Sequence, residues 1–114
     1  MGIFCRLAEL ERTGTSAALA TVVMSRGSAP RHPGAKMIVS PDSRIEGTVG
    51  GGEMESRVVR IALRVLESGE PQLLHFAYVN PTRGDPGSCG GEIEVFVEGV
   101  LPLQDGMKAD LSKG

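Results

Sequence analysis

Three glycine-rich loops contain the residues whose chemistry suits ligand binding. They span residues 27–31 (GSAPR), 50–53 (GGGE) and 84–91 (GDPGSCGG). Glycine accounts for 16 of the 114 residues, about twice the usual ~7%, and it clusters in these loops. Each loop follows a predicted strand or precedes one, so we expect the three loops to meet along one edge of a sheet.

The triplet Gly50, Gly51 and Gly52 stands directly before a predicted helix. Glycine permits positive φ and close backbone approach, and the first N–H groups of a helix have no partner within the helix, so the triplet is suited to cradle an anion. The same glycines also suit a tight strand-to-helix turn with no ligand. Glu53 and Glu55 complement the helix dipole and would repel a phosphate, so both interpretations stay open.

The two cysteines differ in setting. Cys89 lies between serine and two glycines, and if the loop is exposed its thiolate suits a soft metal ligand or a sulfur carrier. The alternative is a small buried residue at the start of a strand. Cys5 lies on a short amphipathic helix, where we expect it to serve packing. Neither cysteine belongs to a CxxC or Cys/His pattern, so no structural zinc site is expected.

Other polar residues of the loops and strands give weaker signals. Arg26 and Arg31 each present a forked guanidinium that suits a phosphate or a carboxylate. His32 and His75 have no partner close in sequence, so neither metal ligation nor base catalysis is predicted for them. Glu92 and Glu94 lie on the same face of a predicted strand, and we expect both to face solvent.

Hydrophobic periodicity predicts two helices and five strands. The helices are predicted over residues 3–12 and 53–68, and the strands over residues 17–24, 36–40, 45–49, 73–79 and 92–98. The apolar residues of the second helix form one stripe, and those of the last strand alternate and are predicted to face the core: Met54, Val58, Ile61, Ala62 and Val65 in the helix, and Ile93, Val95 and Val97 in the strand. The run 17–24 is continuously apolar, which predicts a strand buried on both faces, with a short helix as the alternative that the pattern alone leaves open. The order predicts an α+β fold, with a small, mostly antiparallel or mixed sheet of about five strands and two helices packed on one of its faces.

Composition limits the class of protein. The net charge is −2 and aromatic residues make up 4%, so neither nucleic acid nor an anionic membrane is an expected partner. No signal peptide and no stretch of about 18 apolar residues is recognisable, so we expect a cytoplasmic protein. Residues 1–100 are predicted to form one domain and residues 101–114 a flexible tail.

Several segments, taken in order, resemble the amino-terminal domain of the XdhC/CoxI family. They are residues 20–23 (ATVV) with 26–31 (RGSAPR), 33–37 (PGAKM), 45–52 (IEGTVGGG), and 89–91 (CGG) with 94–98 (EVFVE). Each segment alone is unspecific. Together, in the family's order and over most of residues 16–99, they are a strong signal.

The resemblance implies an accessory protein for molybdenum hydroxylases of the xanthine dehydrogenase or carbon monoxide dehydrogenase type. Such a protein binds molybdenum cofactor, which is a molybdopterin with or without a nucleotide, and assists its maturation or insertion. The implied partners are the apo-enzyme, a sulfur-transfer protein or a separate Rossmann-domain subunit, and a second copy in a homodimer. The positions implied to bind the cofactor are Ser28, Pro30, Arg31, Gly50, Gly51, Gly52, Glu53, Cys89, Gly90 and Gly91, with Cys89 as the metal ligand.

Two departures from the family pattern leave an alternative open. Glu53 occupies a position that is commonly cysteine in the family, and no Rossmann-like carboxy-terminal domain follows. A non-catalytic interaction module that has lost cofactor binding is therefore the second hypothesis. A small hydrolase or transferase ranks last, because no paired general acid and base and no nucleophile–histidine pair stands near these loops. We expect a maturation factor rather than an enzyme.

Overall fold

The computed structural model describes residues 2–27, 32–78 and 91–100. Two α-helices and five β-strands follow one another in the predicted order. Their bounds are α1 Ile3–Thr13, β1 Ala17–Gly27, β2 Lys36–Val39, β3 Ile45–Gly47, α2 Gly52–Ser68, β4 Gln72–Tyr78 and β5 Gly91–Val100. The tail predicted over residues 101–114 lies outside the described residues.

The five strands form one antiparallel sheet, which confirms the predicted α+β class. The strand order is β3-β2-β1-β5-β4, so β1 is central and β3 and β4 are the two edges. The longest ladder joins β1 to β5, from Ala17 opposite Val100 to Gly27 opposite Gly91, with an irregularity between Val22 and Met24. This pairing extends both strands beyond their predicted ends.

The central strand β1 is buried on both faces, as its apolar run predicts. Ala18, Ala20 and Val22 belong to the core beneath α2, whereas Ala17 and Leu19 belong to the core beneath α1. The prediction that both helices pack on one face is therefore wrong. Successive side chains of a strand point to opposite faces, so a strand that is apolar at every position needs cover on both sides.

Helix α2 buries the stripe that its sequence predicts. Met54, Val58, Ala62 and Val65 are buried, and they pack with the alternate residues of β5 that the pattern assigned to the core, Ile93, Val95 and Val97. Each fully buried valine or isoleucine contributes roughly 1.5–3 kcal/mol of hydrophobic stabilisation. This core places the amino-terminal end of α2 over the sheet, and with it the glycine triplet.

Helix α1 covers part of the opposite face. Leu10 is buried against Leu19 and Ile38, and Arg6 Nε donates a hydrogen bond of 2.6 Å to Glu46 Oε2 on β3.

Within the described ranges, no helix is both long and apolar enough to cross a membrane.

Strand β3 ends at Gly47, two residues before its predicted end, and this position requires glycine. Gly47 has φ +81°, and a Cβ atom there would lie 2.4 Å from the carbonyl oxygen of Lys36 on the neighbouring strand. Positive φ and close backbone approach are the two situations that favour glycine. Gly47 thus lets the chain leave the sheet and turn into the loop before α2.

Replacing Gly47 with alanine should destabilise the fold strongly. We expect a loss of about 3 kcal/mol in the free energy of unfolding, because strain at positive φ adds to a backbone clash. Chemical denaturation monitored by circular dichroism measures it. The matched control is Gly69→Ala, at φ +77° with no atom within 4 Å of the added Cβ, which should cost about 1 kcal/mol. Equal losses in the two variants would contradict the role given to the Lys36 contact.

Candidate functional site

The glycine triplet lies in the loop between β3 and α2 and borders an open groove of about 370 Å³. The other walls come from α2 and from the end of β4. The lining residues are Gly50, Gly51, Gly52, Glu53, Met54, Arg57, Phe76 and Ala77. The structure therefore places the four predicted residues of this loop beside a concavity, against a strand that is distant in sequence.

The amide groups of this loop are hydrogen-bonded to a carboxylate of the chain itself. Glu55 Oε2 accepts hydrogen bonds from Gly51 N at 2.8 Å, Val49 N at 3.3 Å and Thr48 Oγ1 at 2.6 Å. Thr48 Oγ1 in turn accepts a hydrogen bond of 3.0 Å from Gly50 N. The loop thus binds an anion, and that anion is Glu55. A phosphate at these amides would have to displace it.

Hydrogen bonding keeps the Glu55 carboxyl ionised. Burial, the largest single influence, raises its pKa, but the hydrogen bonds from Thr48 and from the amides of Gly51, Val49 and Gly50 together outweigh burial. The net result is a pKa below the ordinary glutamate value of 4.5. Acceptance of several hydrogen bonds favours the charged form of a carboxylate.

The conformation of Gly51 excludes other residues. Its φ is 78° and its ψ is −177°, a region that is essentially restricted to glycine. Together with the bonds to Glu55, this geometry accounts for the triplet as a tight strand-to-helix turn. The turn interpretation therefore has a specific physical basis, and ligand binding at the triplet stays a prediction.

Glu53, at the position that is commonly cysteine in the family resembled, is exposed and forms an ion pair. Its Oε1 lies 3.0 Å from Arg57 Nη2, one helical turn further along α2. An exposed pair of this kind contributes little to stability. Its effect on the groove is electrostatic, because Glu53 neutralises the charge of Arg57 where that side chain borders the groove.

The strands that flank the other two predicted loops end side by side. Gly91, a predicted site residue at the start of β5, pairs with Gly27 at the end of β1 and with Tyr78 at the end of β4. Ala77, which borders the groove, immediately precedes Tyr78. The remaining predicted site residues, Ser28, Pro30, Arg31, Cys89 and Gly90, fall outside the described residues, so their placement in one pocket stays a prediction.

Three of the weaker candidates have defined surroundings. His75 Nε2 lies 2.7 Å from Glu92 Oε1, across the β4–β5 pair, and Arg26 Nη1 lies 3.8 Å from Glu92 Oε2. Glu92 therefore takes part in a small surface ion-pair network and is only half exposed. In the parts of the chain that the structure describes, no group of three or more His, Cys, Asp or Glu side chains is arranged to hold a metal ion.

The packing role expected for Cys5 is wrong. Its side chain is exposed and its sulfur is a free thiol. The apolar stripe of α1 is made by Leu10 with Ile3 and Leu7, and Cys5 lies outside that stripe.

Sequence reasoning missed the role of Thr48 and Glu55. The familiar helix-capping signature places serine or threonine three residues before glutamate, whereas seven positions separate these two residues. A carboxylate in the first turn of a helix that follows three glycines is a usable signal, because such a loop exposes several amides together. Arg57 and Phe76 were missed because only packing brings α2 and β4 together.

The fold and this loop define a small α+β domain, in which an antiparallel sheet lies between two helices and a glycine bend leads into the second helix. The chain belongs to the XdhC and CoxI family, whose model matches residues 10–77. This confirms the resemblance found in the sequence.

Two proteins of Escherichia coli (strain K12) are similar in sequence. The uncharacterized protein YqeB is 41% identical over 105 residues, covering 90% of this chain and 19% of that protein. The molybdenum cofactor insertion chaperone PaoD is 36% identical over 92 residues, covering 81% of this chain and 29% of that protein. The chain thus spans less than a third of the length of either relative.

A solved structure confirms the fold. A chain from Bacillus halodurans, described as a xanthine dehydrogenase, superposes with a TM-score of 0.70 and covers 99% of this chain and 34% of its own length. Its sequence identity is 24%, so the likeness concerns the fold alone.

Replacing Glu55 with glutamine should destabilise the protein at neutral pH. The variant keeps the shape of the side chain and loses the charged acceptor of three hydrogen bonds. We expect a loss of about 1–2 kcal/mol in the free energy of unfolding at pH 7. The control is Glu53→Gln on the same helical turn, whose exposed ion pair predicts a change within roughly 0.5 kcal/mol.

The stabilisation by Glu55 should depend on pH. Because its pKa is lower in the folded chain than the ordinary 4.5, the contribution is complete above that value and is lost as the pH falls through the folded pKa. The stability difference between wild type and Glu55→Gln should therefore shrink on acidification below pH 4.5. Denaturant unfolding at a series of pH values measures it. A difference that stays constant into strong acid would contradict the assignment.

Proposed function

We propose that this chain is an accessory domain that binds molybdenum cofactor and assists its maturation or its insertion into a molybdenum hydroxylase. The observation that supports this most directly is the 36% identity to a molybdenum cofactor insertion chaperone over 81% of the chain. Membership of the XdhC and CoxI family agrees with it. In this proposal the chain is a cytoplasmic maturation factor and not itself an enzyme.

The sheet geometry supports a single binding region at one end of the molecule. Gly27, Tyr78 and Gly91 are neighbours across three strands, and the groove beside the glycine triplet reaches Ala77. The predicted loops that contain Arg31 and Cys89 begin or end at these strand ends. We therefore assign the ligand to this end of the sheet, where the strands that flank these loops end.

The described residues suit the organic part of the cofactor. The groove has an aromatic wall at Phe76, which matches a flat heterocycle. The metal end requires a soft ligand, and we assign this role to Cys89. When bound, the cofactor supplies the molybdenum centre that the recipient enzyme uses, and this chain holds and protects it as cargo.

The proposed partners follow from this role. The recipient is the apo-form of a molybdenum hydroxylase of the xanthine dehydrogenase or carbon monoxide dehydrogenase type. A sulfur-transfer protein or a separate Rossmann-domain subunit would act before the cofactor is handed over. A homodimer would place two such sites in one assembly.

One observation favours a second function, an interaction module of the same system that no longer binds cofactor. Glu55 already occupies the amides of the triplet, and Glu53 brings a negative charge where a thiol is common in the family. Both features disfavour an anionic ligand at the triplet itself. In this alternative the domain docks to its partners and contributes no cofactor site.

Protein produced in a molybdate-replete host should contain molybdenum and pterin. We expect Cys89→Ser and Arg31→Ala to lower the cofactor content several-fold without lowering the melting temperature. Elemental analysis and fluorescence of the oxidised pterin measure the two components. The matched control is Cys5→Ser, since Cys5 is an exposed free thiol on α1, and its cofactor content should equal that of the wild type.

The outcomes separate the two functions. If Cys89→Ser and Arg31→Ala both keep full cofactor, the assignment of these residues is wrong. If the wild type holds no cofactor at any concentration while still capturing a molybdenum hydroxylase from solution, the interaction module is the correct function.

A further inference from the structure

A second groove lies between α2 and the edge strand β4 and is strongly cationic. It measures about 270 Å³ and adjoins the groove at the glycine triplet, because Arg57 and Phe76 border both. Its lining residues are Arg57, Arg60, Ile61, Arg64, Leu74, His75 and Phe76. Three arginines and no carboxylate line this groove.

Most cations of the described ranges already have partners. Ion pairs with carboxylates engage Arg6, Arg26, Arg44 and Arg57. Lys36 Nζ lies 5.5 Å from the centre of the Phe4 ring and donates to Gly34 O. Among the lysines and arginines that the structure describes, this leaves Arg12, Arg60 and Arg64 with neither an ion pair nor a cation–π contact, and two of these three border the same groove.

The spacing of the arginines suits a ligand with more than one anionic oxygen. Positions 57, 60 and 64 lie on one side of α2, because residues three, four and seven apart share a helix face. They extend over about 10 Å of the helix axis. A guanidinium binds phosphate oxygens through two parallel hydrogen bonds, so Arg60 and Arg64 can hold neighbouring oxygens of one phosphate or of a diphosphate.

The groove at the glycine triplet does not offer an anion an unpaired positive charge. Glu55 occupies the amides of the triplet, and Glu53 neutralises Arg57. An anion near the glycine triplet therefore meets uncompensated positive charge only further along α2, in the adjoining groove. The apolar wall next to these arginines is made by Ile61, Leu74 and Phe76, which pack partly buried against the core.

We propose that the α2–β4 groove binds the phosphate or diphosphate end of an elongated ligand, held by Arg60 and Arg64, while its ring-bearing part lies along Phe76 toward the glycine triplet. The identity of the ligand as molybdenum cofactor rests on the proposed function, whereas the anion site rests on the groove itself. A small anionic ligand is favoured over an acidic polypeptide because the groove measures only about 270 Å³ and adjoins the groove at the glycine triplet.

Inorganic pyrophosphate is the first probe. In an NMR titration of the full chain at low ionic strength, we expect shifts for the Nε–Hε groups of Arg60 and Arg64 and for the Ile61 methyl groups. Arg60→Ala/Arg64→Ala should weaken binding roughly tenfold or more. Arg60→Lys/Arg64→Lys keeps the charge and loses the guanidinium fork, so its affinity should fall between the two.

The control also removes two arginines, and so the same net charge, but from other parts of the surface. Arg12→Ala/Arg44→Ala takes away one unpaired arginine and one exposed ion-paired arginine, neither of which lines either groove, and it should leave pyrophosphate affinity within about twofold of wild type, because surface charges outside the site are screened. The melting temperatures of the Arg60 and Arg64 variants should match wild type, since alanine and lysine are both favourable in an exposed helix. The control should match it as well, because Arg12 is exposed on α1 and the Arg44 ion pair with Asp42 is exposed and contributes little to stability. Equal weakening by the two double variants, or tighter binding of a glutamate-rich peptide than of pyrophosphate, would overturn the inference.

Cofactor loading separates this inference from the proposed function. If Arg60→Ala/Arg64→Ala loses both pyrophosphate binding and cofactor while the control keeps them, both stand. If the double variant loses pyrophosphate binding but keeps its full cofactor, the assignment of the cofactor's phosphate end to this groove is wrong, while the anion site and the proposed function both stand. If the wild type binds pyrophosphate at these arginines yet never contains molybdenum or pterin, the anion site stands and the proposed function fails.

Discussion

The carboxylate of Glu55 closes the bend between β3 and α2. It accepts hydrogen bonds from the Thr48 hydroxyl and from the amides of Val49 and Gly51, and Gly51 adopts a backbone conformation that only glycine tolerates well. The bend determines where α2 starts, and the buried stripe of α2 then determines how the helix lies on the sheet. The walls of both grooves depend on this contact.

The second constraint is the double-sided burial of β1. Its alternate residues serve two separate cores, so one helix is needed on each face of the sheet. On the α2 face of the sheet, α2 lies against β5 and leaves the α2–β4 groove beside the edge strand β4. The α2–β4 groove is therefore a consequence of how the helix packs on the sheet. Its charge comes from arginines on the solvent side of α2.

These two constraints change the view of the glycine-rich motif. Its amides bind an anion that belongs to the chain, so the motif serves first to shape the strand-to-helix turn. The charge available to a ligand lies further along α2, at Arg60 and Arg64. A cofactor-handling role is compatible with this arrangement, because the chain's own carboxylate closes the bend and the α2–β4 groove next to it is lined by arginines.

Local pattern in the sequence was sufficient for the seven elements, their order, the buried stripe of α2 and the alternation of β5, because these features follow from periods of 3.6 and 2 residues. Segments in family order identified the family. Tertiary structure alone decided that the helices lie on opposite faces, that Cys5 is exposed, and that Glu55 fills the amides of the triplet. It also brought Arg57 next to Phe76. These outcomes depend on contacts between residues far apart in the chain, and the local sequence pattern around each residue does not predict such contacts.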